Sequence, residues 1–431
     1  MENGTHINIT TKKGNYEGIV MPSSTKETLI LKLSSGYNLG VNRKEITKTK
    51  ILPFIKTEET PVSMKTQSRP GLKNVLILHT GGTLASKVSY QTGGVISRFT
   101  PEDILTLFPE VKTIANIHTH LIRNMFSEDM RFAHYNLIAK ELVKQYDQYD
   151  AFIITHGTDT LHYTAAALTF MLEHLGKPII LVGAQRSSDR GSSDAALNLV
   201  SALHFATKSV YHGVAICMHE STHDNTCVIL PSLHTRKMHT SRRDAFQAIN
   251  QTPIARVSRD GTISFLQAHQ PAQPTTHAPS YKPFKENLKI AIITSHPNFM
   301  AAELNAYKTF DGLILAGTGL GHFPVNTIDK ETKEHTNVLK TLTRLAKKMP
   351  VIMTSQCIYG RVNMNVYDSG HKIQQAGVLG NLDDTPPETV FIKLAYLLST
   401  QPKKKIMQLY KTNARGEHHD RTPYQDVHTL S

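Results

Sequence analysis

Ala151-Phe152-Ile153-Ile154-Thr155-His156-Gly157-Thr158-Asp159-Thr160 runs from a block of apolar side chains into a turn of glycine and hydroxyl-bearing residues, and this passage decides the fold. An apolar run without polar alternation describes a strand buried on both faces. Behind the turn, Leu161, Ala165, Leu168, Leu172 and Leu175 recur at helical spacing, so the turn opens a helix with one apolar face. Strand, tight turn and helix form the repeating unit of parallel sheets, because parallel neighbours need a crossover. Val75-Leu76-Ile77-Leu78 and Pro178-Ile179-Ile180-Leu181-Val182 are further strands of this kind. The expected class is α/β, with a parallel sheet covered on both sides.

Outward from this centre the rhythm changes twice. Residues 1–56 show short alternating runs, His6-Ile7-Asn8-Ile9, Tyr16 to Val20, Thr28 to Leu33 and Tyr37 to Val41, separated by turn formers such as Lys13-Gly14-Asn15. Strands so short and close predict a small β-barrel. A polar, proline-containing linker follows over 57–72, and the main α/β domain occupies 73–267. Residues 268–287, with Pro271, Pro274, Pro279 and Pro283, read as an interdomain connection. A smaller α/β domain spans 288–412, with strands near Lys289–Thr294, Leu313–Leu315 and Val351–Met353 and a helix over Glu388–Leu398; the polar tail 413–431 reads as loose.

The bulk numbers agree. Hydrophobic content of 39% with 19% charged residues describes a globular chain and excludes both a disordered polymer and a membrane-spanning run. Met1 to His6 lack the basic-then-apolar pattern of a secretory signal, and the three cysteines, Cys217, Cys227 and Cys357, have neither metal-site spacing nor an even count. The cytoplasm is the expected compartment. A net charge of +13 suits an acidic partner such as RNA, and suits solubility equally well.

Three motifs carry chemistry. Leu78-His79-Thr80-Gly81-Gly82-Thr83-Leu84 follows a strand, and its glycines let the backbone turn at the edge where α/β proteins place ligands. It lacks the Gly-Lys-Ser/Thr ending of a phosphate-binding loop. His156-Gly157-Thr158-Asp159-Thr160 is the second; the plain alternative is that Thr158 or Asp159 merely caps the helix. Two such turns on one sheet reach the same edge, which favours a shared site. Thr235-Arg236-Lys237-Met238-His239-Thr240-Ser241-Arg242-Arg243-Asp244-Ala245-Phe246 is the third, and taken alone it reads as a solvated basic loop.

In this order and spacing the motifs resemble those of the bacterial-type L-asparaginase/glutaminase family. The resemblance implies a two-domain asparaginase-like fold. It implies that Thr83 is the first nucleophilic threonine and that Thr158, Asp159 and Lys237 form the family's Thr-Asp-Lys set. Tyr90 matches the lid tyrosine, Ser127 the serine that holds the substrate's α-carboxylate, and Glu128 stands where asparaginases usually carry glutamine. The residue types suit the chemistry. A threonine hydroxyl attacks only once a neighbour takes its proton, and a lysine fills that role where desolvation or nearby cations favour its neutral form. Asp159 would orient Lys237. Both threonines offer a hydroxyl, and the residues leave the order of attack open.

With the segment ahead of Lys73, and with Tyr359-Gly360-Arg361-Val362-Asn363-Met364-Asn365-Val366-Tyr367, the similarity extends to about Asn413 and becomes a resemblance to the archaeal glutamyl-tRNA(Gln) amidotransferase D-subunit family. That resemblance implies ammonia release from glutamine, with asparagine as an alternative donor. It implies a partner, the E subunit, which binds Glu-tRNA(Gln) and uses ATP and magnesium, in a heterotetramer of D and E subunits built on a D homodimer. No cofactor or metal is expected in this chain. The alternatives are a free-standing cytoplasmic L-asparaginase with an added N-terminal domain, and a non-catalytic RNA-binding subunit. The latter fits poorly with four filled catalytic positions.

Other signals fit blander readings. His219-Glu220-Ser221-Thr222-His223 has the letters of a zinc motif but follows a strand and precedes a turn, whereas the motif needs a helix. Gly317 to His322 has the wrong glycine spacing for a dinucleotide loop, His118 and His120 alternate as on a strand, and Lys403-Lys404-Lys405 reads as a solvated helix face.

Overall fold

Alternating burial builds the N-terminal sheet. The computed structural model describes residues 2–34, 37–52, 68–82, 87–88, 95–96, 108–188, 191–268 and 279–421. Its first strands are β1 (His6–Thr11), β2 (Gly14–Val20), β3 (Thr28–Lys32), β4 (Asn38–Asn42) and β5 (Ile46–Ile51), antiparallel in the order β4-β3-β2-β1-β5. Ile7, Ile9, Val20, Leu29, Leu31 and Val41 close a small core of their own. Among the described residues no ladder joins β4 to β5, so the sheet stands open where the sequence predicted a barrel. The reason lies in β5, whose side chains after Ile46 are exposed and bury too little apolar surface to draw the edges together.

The apolar runs form the main sheet. Its parallel strands are β6 (Asn74–Gly81), β7 (Asn116–Met125), β8 (Ala151–Thr155), β9 (Pro178–Val182) and β10 (Gly213–His219). β11 (Thr226–Pro231) leads into a separate two-stranded ribbon, β12 (Thr235–Lys237) and β13 (Phe246–Ala248). β14 (Ala255–Ser258) and β15 (Ile263–Phe265) return to the sheet, whose order is β15-β14-β11-β10-β9-β8-β6-β7. The predicted parallel sheet thus carries an antiparallel margin of β11, β14 and β15.

The pleat sorts each apolar run onto two faces. Leu76, Leu78, Phe152, Ile154, Ile179 and Leu181 join one core, with helices α1 (Phe132–Gln145) and α2 (Leu161–Met171). Val75, Ile77, Ile153, Ile180 and Val182 join the other, under helix α3 (Ala195–Lys208). Side chains alternate across a strand, so a doubly covered strand must be apolar at every position. The helical spacing after the turn overshoots. α2 stops at Met171, and Leu172–Glu173 pairs as a strand with Ser280–Tyr281, followed by His174 in the left-handed region at φ 61°.

The smaller domain pairs β16 (Ile290–Thr294), β17 (Gly312–Gly317) and β18 (Val351–Ser355) in parallel, with helices α4 (Glu334–Lys348), α5 (Asp368–Gln375), α6 (Pro387–Thr400) and α7 (Lys403–Tyr410). Val390, Ile392, Leu394 and Ala395 of α6 enter the same core as α1 and α2, so the two domains share one apolar interior. The tail predicted to be loose is packed as far as it is described. Glu417 is fully buried against Lys393, and a buried ammonium needs such a partner, which fixes the segment carrying it. Most of the 57–72 linker, residues 269–278 of the interdomain passage and the end of the tail from 422 lie outside the described residues. Among the described residues no helix is long and apolar enough to cross a membrane.

Candidate active site

Parallel strands end on one edge, so their following loops converge there. β7 delivers Phe126-Ser127-Glu128, β6 delivers Gly81-Gly82, β8 delivers His156-Gly157-Thr158-Asp159, and β9 delivers Gly183-Ala184-Gln185. The backbones meet closely. A Cβ on Gly82, which sits at φ +84°, would lie 2.3 Å from the Gly157 nitrogen, and one on Gly157 would lie 2.7 Å from the Ser127 Cβ. Only glycine fits at either position.

The ribbon β12–β13 then brings a lysine over this edge. Lys237 Nζ lies 2.9 Å from the Thr158 hydroxyl oxygen and donates to Asp159 Oδ1 at 2.7 Å. The amine is nearly enclosed, at 9% side-chain exposure, while the aspartate stands 63% exposed. This arrangement decides between the two readings of the second motif. The residue before α2 is Thr160, no side chain caps the helix, and Asp159 spends its carboxylate on the lysine. Thr160 donates its hydroxyl to the Ser127 carbonyl at 2.6 Å, tying the β8 loop to the β7 loop.

Beneath the loops lies a layer of buried imidazoles. His79 contacts the Thr155 hydroxyl, and burial lowers its pKa to about 4. His156 sits with Nδ1 2.7 Å from the Gly157 carbonyl and Nε2 2.8 Å from the Thr164 hydroxyl; burial lowers it to about 4 as well. His162 falls to about 3, through burial first and then the nearby Arg236 and Lys237 charges. All three are neutral at physiological pH, so they shape the floor without adding charge.

The cavity above has a volume of about 280 Å³ and is lined by Gly82, Ser127, Glu128, Thr158, Asp159, Gln185, Lys237 and Thr240, among others. The structure therefore gathers Thr158, Asp159, Lys237, Ser127 and Glu128 from the sequence-predicted set. Thr83 and Tyr90 lie outside the described residues. Gln185 lies outside the sequence motifs, while Thr160 and Thr240 stand within them without an assigned role. Gln185 stands two residues after a glycine that follows an apolar run, as Asp159 does, but a neutral amide has no charge or nucleophile to mark it.

The zinc-like letters separate in space. His219 ends β10 and is buried against Asn198, while His223 sits in an exposed loop. Two groups that join the smaller domain to the tail, one of them with His234 of the main domain, have metal-compatible spacing among the described residues, His234-Asp384-His419 and Asp383-Asp384-His418. Their carboxylates already face cationic or donor groups: Arg361 Nη2 stands 3.8 Å from Asp384, and the Tyr410 hydroxyl donates to Asp383 at 2.7 Å.

Comparison with known proteins agrees with this geometry. A family model described as GatD N-terminal domain matches residues 1–52, Asparaginase, N-terminal matches 74–271, and Glutaminase/Asparaginase C-terminal domain matches 289–410. Among solved structures, the thermostable L-asparaginase from Thermococcus kodakarensis is 29% identical with a TM-score of 0.70, covering 81% of this chain and 100% of that one. L-asparaginase I from Vibrio cholerae is 29% identical with a TM-score of 0.69, covering 81% and 99%. The glutamyl-tRNA(Gln) amidotransferase D subunit from Pyrococcus abyssi is 40% identical over 418 residues, 95% of this chain and 91% of the relative. The D subunit of Thermococcus kodakarensis is 39% identical over 443 residues, 99% and 96%. Matched from its N-terminal sheet through its asparaginase-like domains, the chain belongs to the D-subunit family of glutamyl-tRNA(Gln) amidotransferases.

Proposed function

We propose that this chain is the amidase of a tRNA-dependent amidotransferase, releasing ammonia from the side-chain amide of glutamine, with asparagine as a second donor. The observation that carries the reading is the amine of Lys237 held within reach of one hydroxyl and one carboxylate, over a cavity sized for an amino acid. In this mechanism a neutral Lys237 amine takes the proton of a threonine hydroxyl. The oxygen adds to the amide carbon, and the developing oxyanion faces backbone N–H groups of the glycine turns. As the tetrahedral intermediate collapses, the nitrogen receives a proton and leaves as ammonia, and the ester that remains is hydrolysed by water. Thr158 is one candidate nucleophile and Thr83 the other. Asp159 keeps the amine in place, and Ser127 and Glu128 hold the α-carboxylate and α-amino groups. Tyr90 is the proposed lid residue.

The ammonia then serves to convert Glu-tRNA(Gln) to Gln-tRNA(Gln) on the E subunit, which would bind the tRNA and consume ATP with magnesium, in a cytoplasmic heterotetramer around a D-subunit dimer. The match of residues 1–52 to the N-terminal domain of the D-subunit family supports this over a free-standing asparaginase. Ammonia release from each amide, with and without the E subunit and charged tRNA, tests the proposal. Slow release by the chain alone and a rise with glutamine on completing the complex is expected. Fast turnover of asparagine that ignores the partner would make the chain a free-standing asparaginase. Retained tRNA-Gln formation with glutamine in Thr158→Ala and Lys237→Ala variants would remove the amidase role altogether.

A further inference from the structure

Gln185 borders the cavity, yet its carboxamide nitrogen is shut off from solvent and has no hydrogen-bond partner among the described residues. Leaving such a donor unpaired is unfavourable, so it is a candidate to meet a bound group. The loop is not slack. Asp194, itself fully buried, accepts the backbone N–H of Gln185 through Oδ2 and that of Arg186 through Oδ1, both at 3.0 Å, and Asn198 donates to Oδ2 at 3.1 Å. A residue anchored so firmly by its main chain keeps its Cα in a fixed place beside the cavity.

The strand order says which end of a substrate meets it. The edge runs β9-β8-β6-β7. Ser127 follows β7 at one end of this row, Gln185 follows β9 at the other, and Thr158, with Lys237 of the β12 ribbon against it, lies between. A Cβ on Gly183 would meet the Thr158 Cγ2 at 2.9 Å, so the β9 loop lies directly against the Thr158 side chain. On the reading proposed above, on which this inference rests, the substrate's α-carboxylate is at Ser127. Its side chain then points toward β8 and β9, and the carboxamide arrives beside Gln185, whose amide needs only a turn about its soft terminal torsion to bring the unpaired donor to the substrate. A carboxamide offers both a donor and an acceptor, so it pairs with another carboxamide in either orientation; a carboxylate product offers acceptors only. An asparagine held by the same α-groups falls short by one methylene, roughly 1.3 Å from standard bond geometry, and makes a poorer pair.

We propose that Gln185 contacts the scissile carboxamide and is the residue that separates glutamine from asparagine. The test uses the full complex with the E subunit and Glu-tRNA(Gln). Gln185→Met removes the carboxamide at similar length, while Gln185→Asn keeps it but draws it back. With Gln185→Met, kcat/KM for glutamine is expected to fall roughly 10- to 100-fold, with a fall at least about 5-fold smaller for asparagine. Gln185→Asn should lie between Gln185→Met and the parent for glutamine. Should Gln185→Met lose its thermal transition, the Gln185→Asn comparison carries the test. Equal losses for both amides, or unchanged turnover of glutamine, overturn the assignment. Lys237→Ala in the same complex separates this from the parent proposal: if it retains ammonia release, the amidase reading falls regardless of Gln185, and if it is inactive while Gln185→Met behaves as the parent, only the Gln185 assignment falls.

Discussion

Two lysine–carboxylate pairs in this molecule look alike in distance and differ in everything else. Lys237 meets Asp159 at 2.7 Å and Lys393 meets Glu417 at 2.6 Å. The first pair keeps one member in water and spends its remaining contact on a hydroxyl. The second is sealed, at 1% and 0% exposure, and Lys393 Nζ also lies 2.9 Å from the Thr412 carbonyl, 2.6 Å from His418 Nε2 and 4.8 Å over the Tyr410 ring. Burial lowers the Lys393 pKa against the pull of Glu417. Burial also acts to raise Glu417, but Lys393 and the backbone amides of Arg415 and Ala414 outweigh it and hold that carboxyl low. An amine whose every direction is taken is a structural cation. An amine that faces a hydroxyl beside an open cavity has a direction left for chemistry.

The largest expected effect breaks this contrast at its open end, where the proposed mechanism places the base. Lys237→Ala should lower ammonia release by at least about 1000-fold, as removal of a base that arms a nucleophile does, and leave thermal unfolding within a few degrees of the parent. Lys393→Met should do the reverse. It strands Glu417 in the interior at a cost of about 3–5 kcal/mol, visible in the denaturant midpoint. Adding Glu417→Leu should recover part of that loss, since no charge is then left unpaired. Comparable stability losses for Lys237→Ala and Lys393→Met would erase the distinction.

Acid should attack the two regions in sequence. His79 and His156, at about 4, and His162, at about 3, stay neutral in the fold while the unfolded chain protonates near 6.5. The unfolded state therefore binds more protons in that window, and stability falls as pH drops from about 6.5 to 4. Asp383 follows a different course. Burial pushes its carboxyl up, but His418, Thr385 and Tyr410 prevail and bring it to about 2. Its stabilisation is intact above the ordinary carboxylate value and is lost only as pH falls through about 2. Urea midpoints from pH 7.5 to below 2 should show the first loss in the upper window, and His162→Leu should flatten that limb without altering the lower one.

What can be read from the sequence follows the range of the forces involved. The strands β6, β8 and β9 are legible because double burial writes itself into consecutive residues. Thr158, Asp159 and Lys237 are legible because hydroxyl, carboxylate and amine are conspicuous and stand in a known order. Gln185 is not: a neutral amide after a strand carries no charge or nucleophile to mark it. The open N-terminal sheet hinges on whether β4 finds β5, a pairing that neither run encodes alone. The packing of the tail is hidden for the same reason. Glu417 looks like any polar residue until Lys393 is known to be buried opposite it.

The smallest expected effect probes how the open pair is held. Thr160 donates to the Ser127 carbonyl at 2.6 Å, a bond that joins the α2 entry to the loop carrying Ser127. It lies outside the Lys237 contacts and outside the sealed network around Lys393. Thr160→Val keeps the shape and removes the donor, leaving a carbonyl at the cavity rim where water can partly replace it, so the cost should be about 1 kcal/mol. If Ser127 fixes the α-carboxylate, that cost falls on substrate placement. KM for glutamine should rise roughly 5-fold while kcat changes little, because the contact between Lys237 and the Thr158 hydroxyl is untouched. A fall in kcat at constant KM would instead mean that the β8 loop itself shifts, carrying Thr158 away from the amine, and that the open pair depends on its neighbouring loop as heavily as the sealed pair depends on its own surroundings.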